Sequence, residues 1–262
     1  MSQQSTPDSL AMRRILPWVL PVLLIVIWEL SARVGWLSSR VLPEPASIFK
    51  SGWDLLKTGE LHHHVLVSLQ RALTGLAIGG GLGLLLGLLT GTFRRAETLL
   101  DTTLQMVRNV PPLALIPLVI LWFGIDETAK IFIVALGVFF PLYLNTYHGI
   151  RSVDPALIEM AKSYGVTGWR LYRDVIFPGA LASILVGLRF SLGLMWVLLI
   201  VSETISATEG IGYMTMNARE FLRTDIVLVG ILLYALLGKL ADIIARGLER
   251  FWLRWNPNYA SA

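Results

Sequence analysis

Few residues in this 262-residue chain are placed to do chemistry. His62, His63 and His64 are consecutive. Successive helical side chains point about 100° apart, whereas a helix that grips a metal presents two ligands on one face at i and i+4. The three read as a polar cluster on an outer surface, and no metal site is expected. The Gly-Lys pair Gly238-Lys239 runs on into Leu240. A phosphate cradle needs G-x-x-x-x-G-K-[ST], because backbone N–H groups wrap the phosphates while the Lys and a hydroxyl complete the site. ATP hydrolysis by this chain alone is thereby excluded. Cysteine is absent, which removes disulfides, thiolate zinc sites and thiol nucleophiles. No nucleophile and base stand in an arrangement that would support an intramembrane enzyme. What remains are charges stranded in apolar sequence, Arg108, Arg189, Lys239 and Asp242, and a group formed by Glu203, Glu209, Gly210 and Gly212. Ionisable residues inside a membrane are functional candidates by default.

The elements that must hold these residues are long and apolar. Hydrophobic residues make up 55% of the chain and charged residues 15%, against roughly 25% charged in soluble domains, so the bilayer is the expected solvent. The net charge of +4 carries no dense basic block of the kind nucleic acid requires. A spanning helix takes about 20 mostly apolar residues, and the spacing of charges predicts six: an anchor over 15–35, then 72–93, 109–125, 131–150, 180–202 and 226–245. Arg13 and Arg14 precede the first run as in a signal peptide. No small-x-small cleavage site follows, however, and Glu29 and Arg33 stand where it should be, so the anchor is read as uncleaved. Six crossings put both termini on one side. Placing that side in the cytoplasm makes the inner segments slightly richer in Lys and Arg. It also sets Arg108, Arg189 and Lys239 nearest the cytoplasmic ends, where they can snorkel.

Two crossings have internal patterns. Gly75, Gly79, Gly83, Gly87 and Gly91 recur every four residues in the second. Such a ridge without side chains lets another backbone approach closely, where lipid gives little hydrophobic drive for association. The third contains Pro111, Pro112 and Pro117, which withhold backbone donors and interrupt a helix. Broken helices at membrane depth line protein-buried or watered space, so this crossing is a pathway candidate, with Arg108 beside the break and Arg189 as a second cation. Lys239 and Asp242, three apart, are expected to pair.

Between the fourth and fifth crossings, residues 151–178 are too long and too patterned for a connector. Asp154 can cap a helix with Pro155 in its first turn, running to Ser163 and Tyr164 and stopping at Gly165. Thr167 can cap a second helix from Gly168 to Val175, ended by Pro178. Two short capped helices read as a docking surface, although Trp169, Leu171 and Tyr172 would also suit an interfacial linker.

Here a resemblance becomes specific. Glu159-Met160-Ala161, then Gly165, then Val175-Ile176-Phe177-Pro178 resembles the EAA loop of type I ABC importer permeases, whose pattern is EAA, three residues, G, nine residues, I-x-L-P. The spacing fits throughout, with Met160, Val175 and Phe177 as apolar departures. The segments Arg108 to Phe132, Ser202 to Met214, Met216 to Asp225 and Tyr234 to Asp242 look like the nitrate, taurine and sulfonate branch, and most resemble its aliphatic sulfonate importer permeases.

That resemblance implies an all-α polytopic permease of six transmembrane helices. Its core would be 65–247, with cytoplasmic ends 1–14 and 248–262 and a periplasmic segment 36–64, in a bacterial inner membrane. The coupling loop would sit in a cleft of a separate ABC ATPase that holds ATP and magnesium, with no cofactor on this chain. Glu159 would make a polar or capping contact, Ala161 and Gly165 a close backbone approach, and Pro178 a helix stop. The implied partners are a periplasmic substrate-binding protein and a second copy of the permease, enclosing a central path for a small organic anion. Glu203, Glu209, Gly210 and Gly212 become an outer gate or binding-protein contact. Taurine, nitrate or another small anion is the alternative cargo. An ion-coupled carrier is the alternative class, but it calls for a buried acid or acid-base pair near the midplane and inverted repeats, neither of which is evident.

Overall fold

The computed structural model describes residues 7–38 and 41–255, and every regular element among them is helical. The expected cytoplasmic ends, 1–14 and 248–262, fall partly outside these residues. The described residues form two compact units.

The first unit takes in the chain up to His62 together with Met214–Ile231. Its helix α1 (Pro7–Arg33) leaves the apolar side chains from Leu16 to Leu30 exposed, as a lipid-facing helix does. Glu29 closes its end by accepting from Arg33 Nε at 2.7 Å and from the backbone N–H of Ala46 at 3.2 Å. The segment 36–64 is not a plain loop: it contains α2 (Pro45–Thr58), with Pro45 in the first turn, where its missing N–H costs nothing. On α2, Ser51 Oγ donates to Asp225 Oδ2 at 2.5 Å, and Gly52 lies against Val229.

The second unit takes in His63–Tyr213 and the chain from Leu232 onward. Helix α3 (Glu60–Gly75) passes through a π turn, Leu76–Gly80, into α4 (Gly81–Thr92). Next come α5 (Arg94–Arg108), a 3₁₀ turn at Pro112–Leu115, α6 (Ile116–Phe123) and α7 (Glu127–Arg151). The loop holds α8 (Pro155–Ser163) and α9 (Gly168–Leu171), which leads through a π turn, Tyr172–Ile176, into α10 (Phe177–Ser206). Helices α11 (Ile211–Glu220) and α12 (Thr224–Trp252) each contribute residues to both units.

The glycine ladder determines how this unit packs. A Cβ on Gly75 would meet Val134 Cγ1 at 2.5 Å, one on Gly83 the Phe139 carbonyl oxygen at 2.5 Å, and one on Gly91 Ile150 Cβ at 3.0 Å. Gly79 lies against the Ala135 backbone and Gly87 against Tyr143 and Thr146. All five face α7, so the ridge is used within the chain, backbone against backbone, by van der Waals contact. The contacts climb both helices in the same sense, so α3–α4 and α7 run parallel. Helix α10 runs antiparallel to α7, with Gly137 on Leu198 at one end and Gly149 on Ser183 at the other. The part of α12 beyond Leu232 runs antiparallel to α10, since Tyr234 reaches Glu203 and Asp242 reaches Arg189. Two buried clusters seal the ends: Leu142, Ile150, Ala180 and Ile184 near the loop, and Ile116, Val119, Ala129, Ile133 and Leu198 at the opposite end.

Candidate functional site

Three features of the second unit could carry function: the loop at one end, a polar cluster around the turn 207–210 at the other, and the broken crossing between them.

The loop begins as expected. Asp154 Oδ1 accepts from the Ala156 N–H at 2.8 Å and caps α8. At the other end of α8, Gly165 adopts φ +78, with its N–H on the Lys162 carbonyl and the Val166 N–H on the Ala161 carbonyl. This is the paired closure that a left-handed glycine permits. Ala161 is buried, whereas Leu157, Met160 and Tyr164 form an exposed apolar stripe with Glu159 beside it. An exposed apolar stripe on a capped helix has the form of a surface that a partner could cover.

The second loop helix departs from expectation. Thr167 makes no side-chain cap, and Pro178 does not stop the helix. A proline ring clashes with the carbonyl four residues back. Here the π turn at Tyr172–Ile176 carries the Phe177 N–H to the Tyr172 carbonyl, five residues back, and loosens the turn that Pro178 enters. The helical run from Gly168 to Ile205 is therefore unbroken over 38 residues, about 55 Å at 1.5 Å per residue. One rod joins the 151–178 loop to the far end of the bundle.

At that far end lies the polar cluster. The Glu203 carboxylate is fully buried and accepts from Ser68 Oγ at 2.8 Å, Arg71 Nη1 at 2.8 Å, the Gly212 N–H at 2.9 Å and Tyr234 Oη at 3.0 Å. Arg71, 3% exposed, also donates to the Glu209 carbonyl at 2.6 Å and forks both oxygens of Glu127 from Nε and Nη2 at 2.5 and 2.7 Å. Lys130 Nζ reaches Glu127 at 3.0 Å and the Ile125 carbonyl at 3.4 Å. The 207–212 turn is held by its own backbone as well: the Ile211 N–H donates to Ser68 Oγ and the Gly210 N–H to His64 Nδ1 at 3.1 Å. Of the residues expected here, Gly210 and Gly212 are buried parts of this turn, and Glu203 anchors it rather than facing outward. Glu209 is the exposed one, with its carboxylate 3.4 Å from His63 Nε2.

Sequence reasoning missed Arg71, Ser68 and His64. Ser68 and Arg71 follow His64 at the i+4 and i+7 positions of one helical face, and that was the available signal. The surface reading of the histidines is corrected for His64, which is buried as an acceptor. The cluster holds an acid-base pair, but it lies at the end of the bundle and not near the middle.

The third crossing is also corrected. Helix α6 has eight residues, about 12 Å, too short for a hydrocarbon core of about 30 Å. It forms a pair with α5, bent by 80°. Because α4 and α7 run parallel, the chain between them has to return the length of the bundle, and this pair makes the return. Its start is tied to the end of α7, where Tyr147 donates to Glu97 at 2.5 Å and Arg151 pairs with the same carboxylate. Its finish packs Ile116 and Val119 on Ala129 and Ile133. The polar stretch before the crossing predicted at 109–125 is thus not a bare link but α5, the first half of the bent pair. Among the described residues α1, α3–α4, α7, α10 and α12 are long and apolar enough to cross a membrane, and counting the bent pair as one span makes six.

The pathway residues separate accordingly. Arg108 and Pro111 are exposed at the bend and Pro112 is half-buried. Arg189 forks Asp242 at 2.9 Å from Nε and Nη2, at the edge of a groove of about 540 Å³ lined otherwise by apolar residues such as Val186, Phe190 and Val197. Asp242 also takes Arg246 at 2.6 Å, while Lys239, its expected partner, stays at 3.9 Å. No cluster of His, Asp or Glu able to hold a metal occurs among the described residues.

Comparison with known proteins places this geometry. Residues 79–254 match the family described as the binding-protein-dependent transport system inner membrane component. A relative in Escherichia coli K12, named as the aliphatic sulfonates transport permease protein SsuC, is 61% identical over 97% of both chains. The taurine transport system permease protein TauC of the same organism is 35% identical, covering 89% of this chain and 86% of its own. A solved amino acid ABC transporter with bound histidines shares the fold, with a TM-score of 0.54 at 20% identity over 70% of this chain and 91% of that one.

Proposed function

This chain belongs to the family of binding-protein-dependent transport inner membrane components, and from that premise we propose that it is the permease subunit of an ATP-driven importer of aliphatic sulfonates. The observation that carries the substrate class is the 61% identity with SsuC along 97% of both chains, against 35% for the taurine permease. The chain itself is not an enzyme. A separate ABC ATPase binds ATP and magnesium and docks on α8, with the exposed Glu159, Met160 and Gly165 as the contact face and the buried Ala161 packing behind it. A soluble binding protein delivers the anion to the opposite end, beside Glu209 and the 207–212 turn. Two copies enclose the path, and both termini lie in the cytoplasm, which puts the loop on the ATPase side.

The geometry supports alternating access by a lever. Force applied at α8 and α9 enters a helix that is continuous to Ile205, and Glu203 on that helix is tied to Arg71 and Ser68 of α3 and Tyr234 of α12. Movement at the loop is thereby felt at the outer turn. Pro178 passes the push onward instead of ending the helix.

The test is uptake of labelled ethanesulfonate by cells that lack their own sulfonate importers and express this permease with its ATPase and binding protein. Uptake that needs both partners and survives collapse of the proton gradient is the expected result. Uptake without the ATPase, lost with the gradient, would replace this reading with an ion-coupled carrier.

A further inference from the structure

An anion cannot cross hydrocarbon bare, because the charge must find donors along the way. The crossing helices contain several cations, and most are already engaged. Arg71 is buried against Glu203 and Glu127, Lys130 is held by Glu127, Arg189 forks Asp242, and Lys239 and Arg246 both stand within 4 Å of that same carboxylate. Arg108 differs. It is exposed and no carboxylate pairs with it among the described residues; Arg94, Arg95 and Arg250 share that state but sit in the first turn of α5 or the last turn of α12, whereas Arg108 sits at the bend.

Its position is as informative as its freedom. The bent crossing is pinned at one end by Glu97 on Tyr147 and at the other by Ile116 and Val119 on the first turns of α7, and Arg108 falls between these anchors at the bend itself. It lies away from the loop end, where an arginine would snorkel. The backbone there is polar too. In a continuous helix the Arg108 carbonyl would take the N–H of residue 112, and that residue is a proline with none to give. The N–H groups of Asn109 and Val110 instead close short bonds to Met106 and Val107. Among the described residues no backbone N–H donates to the Arg108 carbonyl, and within a crossing such a carbonyl beside an unpaired guanidinium is tolerated where both line a watered space.

We infer that Arg108 is the residue that contacts the sulfonate group as it passes the middle of the permease, with the exposed Asn109 beside it. The inference rests on the proposed importer function. A guanidinium suits this role because it donates in a planar fork to two oxygens at once. A single exposed contact also holds weakly enough to release.

The experiment has two arms. In the uptake assay, Arg108→Gln should lower the maximal rate of ethanesulfonate entry by about tenfold or more, the scale of one charge-assisted hydrogen bond. Arg108→Lys should keep most of that rate, and a pull-down of the ATPase checks that each variant assembles. Wild-type rates in an assembled Arg108→Gln variant would overturn the inference. Failure of the parent complex to take up ethanesulfonate would overturn the importer reading instead. The second arm uses the absence of cysteine from the chain. Asn109→Cys, as the sole thiol of the permease, should react faster with a sulfonate-bearing methanethiosulfonate than with a neutral one, and Arg108→Gln should reduce that preference by about tenfold. Reaction with neither reagent, or a preference that Arg108→Gln leaves unchanged, would overturn it.

Discussion

Arg71 and Glu203 form a buried ion pair, Nη1 to Oε1 at 2.8 Å, between a helix that begins at Glu60 and one that ends at Ser206. The pair is satisfied on every side. Glu203 has Ser68, Gly212 and Tyr234 as further donors, and Arg71 spends its remaining donors on Glu127 and the Glu209 carbonyl. Desolvation is offset by this saturation, so the pair contributes rigidity and register more than net stability. It fixes the far end of the α10 rod.

Removing one partner should therefore be severe. Glu203→Gln and Arg71→Met should each destabilise the protein by about 3–5 kcal/mol, because each leaves a charge or several donors buried without a partner. The double variant should cost much less than the sum. Glu127 is 55% exposed, and Glu127→Gln should cost about 1 kcal/mol or less. Thermal unfolding of the purified variants in detergent gives the order; equal losses for Glu127→Gln and Glu203→Gln would contradict it.

The glycine ridge makes a sharper distinction within one helix. Gly83→Val drives a side chain into the Phe139 carbonyl and should block accumulation of folded permease in the membrane. Gly81→Ala, where nothing lies within 4 Å of the added carbon, should be neutral or stabilise by up to about 1 kcal/mol. Detergent-solubilised yield and melting temperature read both.

On the loop, exposed and buried positions of the EAA pattern should separate docking from folding. Glu159→Arg and Met160→Asp alter an outward face and should change stability by only about 0.5 kcal/mol, yet they should abolish recovery of the ATPase in a pull-down. Gly165→Arg replaces a residue at φ +78 that sits in open space. It adds left-handed strain of about 1–2 kcal/mol and should uncouple uptake while leaving membrane insertion intact.

His64 and His63 should behave differently although they are adjacent. His64→Ala removes the acceptor of the Gly210 N–H, and amide exchange at Gly210 should accelerate by at least about tenfold, the equivalent of roughly 1.4 kcal/mol. His63→Ala, at a half-exposed contact with Glu209, should leave that amide protected. Hydrogen exchange followed by mass spectrometry distinguishes the two.

What was legible in the sequence was whatever depends on neighbours along the chain. Asp154, Pro155 and Gly165 mark the ends of α8 because capping is a matter of a few residues. The four-residue glycine period announced a packing ridge because helical periodicity is local, though it could not name α7 as the partner. Pro178 misled for the opposite reason: a proline stops a helix by local rules, and only the π turn before it, stabilised within a longer rod, lets the helix continue. The stretch before the crossing predicted at 109–125 misled because its polarity resembles a loop, while it folds as α5, part of the bent pair that returns the chain between the parallel α4 and α7.

The sequence by itself determined that the chain lives in a membrane, that it cannot hydrolyse ATP, and that its 151–178 loop carries a capped helix with the EAA spacing, since composition and short-range spacing decide these. The tertiary structure alone decided which charges are engaged. Arg71 and Arg108 look alike as cations at the edges of apolar runs. Burial between three helices commits the first to Glu203 and Glu127, and a bend in the backbone leaves the second open, because ion pairs across helices depend on distances in space that sequence separation does not encode.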